Sequence, residues 1–149
     1  MTDEDLKFMN LALELAKKAE LKDEVPVGAV IVQDGKVIGS GMNTSISDHD
    51  PTSHAEINAI REAAKLIQNY RLKDCSIYVT LEPCPMCAGA LYWAQLGELY
   101  LGAKDSKRGF RQCNTHMLHP KTKLTEGLLE KESEQLLLDF FQGLRKKSL

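Results

Sequence analysis

The sequence has no apolar run near the ~20 residues that a membrane-spanning helix requires, and this predicts a protein without a membrane anchor. Its N-terminus, MTDEDLKF, is acidic and polar, lacking the basic-then-apolar order of a secretory leader. No stretch is rich enough in proline, glycine and serine to act as a linker, and no internal repeat is visible. Together these absences predict one cytoplasmic domain spanning residues 1–149. Cysteine is sparse, at 4. In a reducing compartment, closely spaced cysteines more often bind metal or act in catalysis than form disulfides. Cys84 and Cys87 form a C-x-x-C pair, whereas Cys75 and Cys113 have no partner at a diagnostic spacing and read as a buried and a loop thiol. A positive surplus is also missing: the net charge is −2, which in bulk argues against a nucleic-acid binder.

What is present is ordinary for a soluble globular chain, with 43% hydrophobic and 27% charged residues. The charge is unevenly spread. Lys104, Lys107, Arg108, Arg111, Lys121 and Lys123 face only Asp105 within residues 104–123, and the tail adds Arg145, Lys146 and Lys147, so the remaining body is strongly acidic. Clustered basic residues on an acidic body suit a polyanion, although loops and helix ends also collect lysine and arginine.

Apolar spacing predicts the elements. Thr2 with Asp5 makes a capping-box-like start, and Leu6, Met9, Leu13, Ala16 and Ala19 follow at helical spacing to about Leu21. The run PVGAVIVQ, the Asp34-Gly35 turn and the return KVIGSG predict a β-hairpin over 28–41. A helix starts near His54, with Ala55, Asn58, Ala59, Ala63, Leu66 and Ile67 along one side. SIYVTLE reads as a buried strand, Pro83 to Gln95 as a helix with Pro85 in its first turn, and ELYLGA as another strand. Residues 103–125 read as a long irregular segment of the functional kind, followed by a helix from about Glu130 to Leu144. This order predicts an α/β fold: one mixed sheet with helices on both faces.

The chemistry-bearing residues gather at two of these helix starts. A catalytic zinc takes three protein ligands and leaves one position for water, and His54, Cys84 and Cys87 supply such a set. A helix N-terminus favours thiolates. Glu56 lies two residues after His54 and is suited to proton transfer to and from the water, whose pKa zinc lowers to about 7. The pattern H-x-E…P-C-x-x-C is a known signature of zinc nucleobase deaminases. A structural zinc would want a fourth protein ligand, and His49, His116, His119, Cys75 and Cys113 remain for that purpose, which leaves a zinc-stabilised binding module as a non-enzymatic reading.

Beyond the site, EVPVGAVIV, HDPTSHAEINA, QNYRLKD, YVTLEPCPMCAGAL, LGAKDSKRG and TEGLLEKESEQLLLDFF resemble the bacterial tRNA adenosine deaminases, within the cytidine-deaminase-like superfamily. The resemblance runs from about residue 6 to residue 145. It implies a three-layer α-β-α fold around a mixed sheet of about five strands, a homodimer, one Zn2+ per subunit on His54, Cys84 and Cys87, and Glu56 as proton shuttle. It implies formation of inosine at the wobble adenosine of a tRNA anticodon loop. It further implies that Asn43 binds the target nucleotide and that the base pocket is lined by Val27, Gly28, Ala29 and Pro83. By the same resemblance, Asp105, Lys107, Phe140, Phe141 and Arg145 face the RNA. The loop RQCNTHMLHPKTKLTEG departs from the family, whose members often carry an Asn-His pair there, since Thr115 separates Asn114 from His116. CPMCAGALYWA also resembles guanine deaminases, so deamination of a free base or nucleoside is the alternative.

Overall fold

The computed structural model describes residues 2–148, and side chains through Leu144. The chain begins with α1 (Asp3–Leu21), whose capping box is formed: Asp5 N–H donates to Thr2 Oγ1 and Thr2 N–H to the Asp5 carboxylate. The other Asp5 oxygen accepts from Tyr78 Oη at 2.6 Å, which ties this helix start to the sheet. β1 (Gly28–Gln33) and β2 (Lys36–Met42) form the expected hairpin. Asp34 and Gly35 both have positive φ, as a two-residue type I′ turn demands. Then come α2 (Ala55–Ile67), β3 (Ser76–Leu81), α3 (Pro85–Ala94), β4 (Glu98–Ala103), β5 (Lys123–Glu126) and α4 (Glu130–Ser148).

The strands form one sheet in the order β2-β1-β3-β4-β5. β1 is antiparallel to both neighbours, and β3, β4 and β5 are parallel. Alternation along the strands divides the core in two. Ala29, Ile31, Ile77, Val79, Leu99 and Leu101 pack with the alanines of α2 and with Ala88 and Leu91 of α3. Val30, Val32 and Tyr78 pack on the other face with Phe8, Met9 and Ala12 of α1 and with Leu128 before α4. The three-layer expectation is therefore met.

Two expectations need correction. The 103–125 segment is not irregular throughout, because Phe110–Gln112 form a 3-10 turn and β5 begins at Lys123. β5 is a four-residue edge strand, mostly exposed, so it carries no apolar alternation that a sequence pattern would reveal. Leu66 does not join the buried side of α2; it is exposed, and small residues fill that side instead. The small residues on that side face Gly39 and Gly41 of β2. A β-carbon on Gly41 would come within 2.3 Å of the Ala55 carbonyl oxygen, so glycine in β2 and alanine in α2 permit a close approach that leucine would block.

Candidate active site

β2 and β3 run in the same direction but are separated by β1, so their C-terminal ends share one edge of the sheet. The two strands bracket the antiparallel β1. α2 starts after β2 with His54 at its N-cap, and α3 starts after β3 with Cys84 at its N-cap and Pro85 following. Cys87 lies on the first turn of α3, where the N–H groups are unpartnered within the helix and the dipole is positive.

His54 Nδ1 lies 3.5 Å from both Cys84 Sγ and Cys87 Sγ. The three donor atoms are all within 4.8 Å of one another, and among the described residues they form the one such cluster. A tetrahedral zinc, with Zn–S of about 2.3 Å and Zn–N of about 2.0 Å, sets nitrogen and sulfur about 3.5 Å apart. The donor set fits zinc in both chemistry and spacing. His49, His116, His119, Cys75 and Cys113 are not part of the cluster, so closure by a fourth protein ligand is not what the fold builds.

The electrostatics are coupled. A hydrogen bond from Cys87 holds the Cys84 thiol down to about 4, and the same bond, with burial, pushes Cys87 up. The contact with Cys84 raises His54. Glu56 is buried beside them, in hydrogen-bonding reach of Cys87, and burial pushes its carboxyl up to about 7.

Backbone and amide contacts fix this arrangement. Asn43 Oδ1 accepts from the Ala55 N–H at 2.8 Å, satisfying one of the orphan donors at the start of α2, and its Nδ2 donates to the Val25 carbonyl at 3.1 Å. The Asn43 N–H donates to the Val27 carbonyl, and the Gly28 N–H donates to Thr80 Oγ1 at 3.2 Å. Val27, Gly28 and Ala29 therefore adjoin both helix starts through Asn43 and β3. The Pro83 carbonyl accepts from the Phe110 N–H at 2.8 Å. Asp105 Oδ1 accepts from the Lys107 and Arg108 N–H groups, capping an exposed turn. Phe140 is half-buried and Phe141 exposed on α4, with ring centroids 5.4 Å apart. Arg145 lies outside the described side chains.

Sequence reasoning missed three supporting residues. Glu24 and Glu82 are both buried carboxylates. Glu24 accepts from the Ile46 and Ser47 N–H groups and the Ser47 hydroxyl, and so holds the loop that leads to His54. Arg111, read only as one charge in a basic run, donates to Glu82 Oε1 at 2.8 Å. Pairings across twenty or more positions leave no periodic signal.

A buried carboxyl beside a nitrogen–sulfur–sulfur donor triad, on a three-layer α/β frame, defines a zinc-dependent hydrolytic deaminase. The family of the cytidine and deoxycytidylate deaminase zinc-binding region matches residues 2–103. The chain is 48% identical to a tRNA-specific adenosine deaminase of Haemophilus influenzae, over 96% of this chain and 86% of that protein. A solved structure from work on A-to-I editing by tRNA:A34 deaminases at the wobble position shares 43% identity, with a TM-score of 0.81 over 88% of this chain and 99% of that one. A guanine deaminase from Bacillus subtilis also shares 43% identity, but its TM-score is 0.65, over 70% of this chain and 66% of that one. The chain belongs to the tRNA-specific adenosine deaminases, a branch of the zinc-binding deaminase family.

Proposed function

We propose that this protein deaminates adenosine to inosine at the wobble position of a tRNA anticodon loop. The observation that carries the chemistry is the buried Glu56 carboxyl at the His54–Cys84–Cys87 triad. The choice of RNA over a free base follows the likeness to tRNA deaminases, which is both longer and closer in shape than that to the guanine deaminase.

In this reading His54, Cys84 and Cys87 hold one zinc ion. When bound, zinc supplies Lewis acidity that lowers the pKa of a water to about 7. Overall, water adds at C6 of adenine and the exocyclic amine leaves as ammonia. Glu56 takes a proton from the attacking water at its carboxylate, returns one to the ring nitrogen, and serves the departing amine. Its burial keeps bulk water from competing for those protons. Asn43 retains one amide hydrogen and one lone pair beyond its two structural bonds, enough to bind the target nucleotide. Val27, Gly28, Ala29 and Pro83 line the base pocket. Asp105, Lys107, Phe140, Phe141 and Arg145 face the anticodon RNA, which presents unstacked bases at reduced cost.

We take the chain as one catalytic domain, since both core clusters share a single sheet. Among the described residues no helix is long and apolar enough to cross a membrane, and a tRNA substrate places the enzyme in the cytoplasm. It works as a homodimer: Trp93 is 69% exposed with its ring 5.7 Å from that of the exposed Tyr92, and Arg71 links Tyr70, 70% exposed, to the Trp93 carbonyl, an apolar surface suited to a second copy. Sedimentation equilibrium checks the dimer.

The test incubates the zinc-loaded enzyme with a tRNA bearing A at the wobble position and with guanine, cytidine and adenosine. Inosine left in the tRNA at the wobble position, with ammonia released and turnover faster at low salt, is the expected result. Turnover confined to the small substrates overturns the reading.

A further inference from the structure

Glu82 is 4% exposed and stands two residues before Cys84. Three donors from the basic segment that follows β4 converge on it. The Asp105 N–H reaches Oε1 at 3.2 Å, the Arg111 N–H reaches Oε2 at 3.2 Å, and Arg111 Nη2 reaches Oε1 at 2.8 Å. The backbone closes tightly around the carboxylate: a β-carbon on Gly109 would sit 2.0 Å from Glu82 Oε2. Arg111 also pairs with Glu126 of β5, and Lys104 Nζ lies 3.4 Å from the same carboxylate.

A charge this buried persists only when paired and hydrogen-bonded. The pairing also changes the meaning of the basic segment. Lys104 and Arg111 are engaged by carboxylates of this chain, while Lys107 and Arg108 are exposed on a turn whose cap, Asp105, is itself held by Glu82 through its N–H. Arg111 thus serves the loop's shape, and Lys107 and Arg108 are the charges it presents.

We propose that Glu82, acting with Arg111, is a positioning residue for RNA: it sets the register of the Lys107–Arg108 turn relative to the metal-ligating Cys84. This rests on the tRNA reading above. Glu82→Gln and Arg111→Met are each expected to raise KM for an anticodon stem-loop about tenfold, with kcat and zinc content held. Amide exchange at Asp105 should quicken in both. The double variant should be no worse than either single one, because both break one device. Additive losses, an unchanged KM, or a fall in kcat with zinc loss would each overturn the proposal. If Glu82→Gln does not fold, Arg111→Met decides alone: a raised KM with faster Asp105 exchange supports the role, and a raised KM without it refutes the role. Wild-type enzyme that leaves the stem-loop unedited instead refutes the substrate reading, while Asp105 exchange still reports on the brace.

Discussion

The metal centre and the 104–126 segment adjoin each other but are built by different means. His54, Glu56, Cys84 and Cys87 sit at the starts of two helices, close to the backbone, with few torsions to fix. The segment 104–126 has one 3-10 turn and a four-residue edge strand, and its shape depends on long charged side chains reaching Glu82 and Glu126. Chemistry that tolerates little misplacement rides on rigid elements, and the basic Lys107–Arg108 turn rides on a loop that charge pairs hold.

Three experiments strain this contrast at the rigid end. The largest effect is expected from Cys87→Ser, which replaces a buried sulfur donor with a poorly binding hydroxyl. Zinc content measured by plasma spectrometry should fall well below one ion per chain and activity should vanish; a fully loaded, active variant would remove Cys87 from the ligand set. Next comes Glu56→Gln. It preserves size and burial but abolishes the carboxylate, so kcat should drop by about 10²–10⁴ with zinc intact. Retention of more than a tenth of wild-type kcat would exclude the proton-shuttle role. Third, Gly41→Ala drives a methyl group against the Ala55 carbonyl and the Ala59 N–H, both backbone atoms that cannot step aside. A cost of about 1–3 kcal/mol is expected, read as a Tm lowered by several degrees. Zinc affinity should fall with it, because α2 carries His54; an unaffected affinity would show that the helix start is set by Asn43 rather than by packing.

The same contrast explains what the sequence reveals. The site is legible because the spacing at each helix start is local, three positions from Cys84 to Cys87 and two from His54 to Glu56, and because helix starts have their own signals. The hairpin was legible from Asp34-Gly35, whose positive φ values follow from residue type. β5 was hidden because an exposed edge strand pairs through backbone groups that every residue carries. Glu24 and Glu82 were hidden because a buried carboxylate looks like a surface one until its partners fold onto it. Arg111 is hidden for a related reason: the window 104–123 sets six cations against Asp105, while Glu82 and Glu126, which pair with Arg111 and Lys104, lie outside it.

The smallest effect tests the loop end. The hydrogen bond from Arg111, helped by Lys104, holds the Glu126 carboxyl below its ordinary range. A carboxyl depressed in the folded state contributes stability at pH values above its unfolded value of about 4.3, and that contribution is lost as pH falls through the lower folded value. Glu126 is more than a third exposed, so screening keeps the contribution under about 1 kcal/mol. Glu126→Gln should therefore lower Tm by a few degrees near neutral pH, and wild type and variant should converge as the solution is acidified below pH ~4. A gap that persists into strong acid would mean that Glu126 acts through packing and not through its charge, and that β5 is held in the sheet by its backbone pairing with β4 alone.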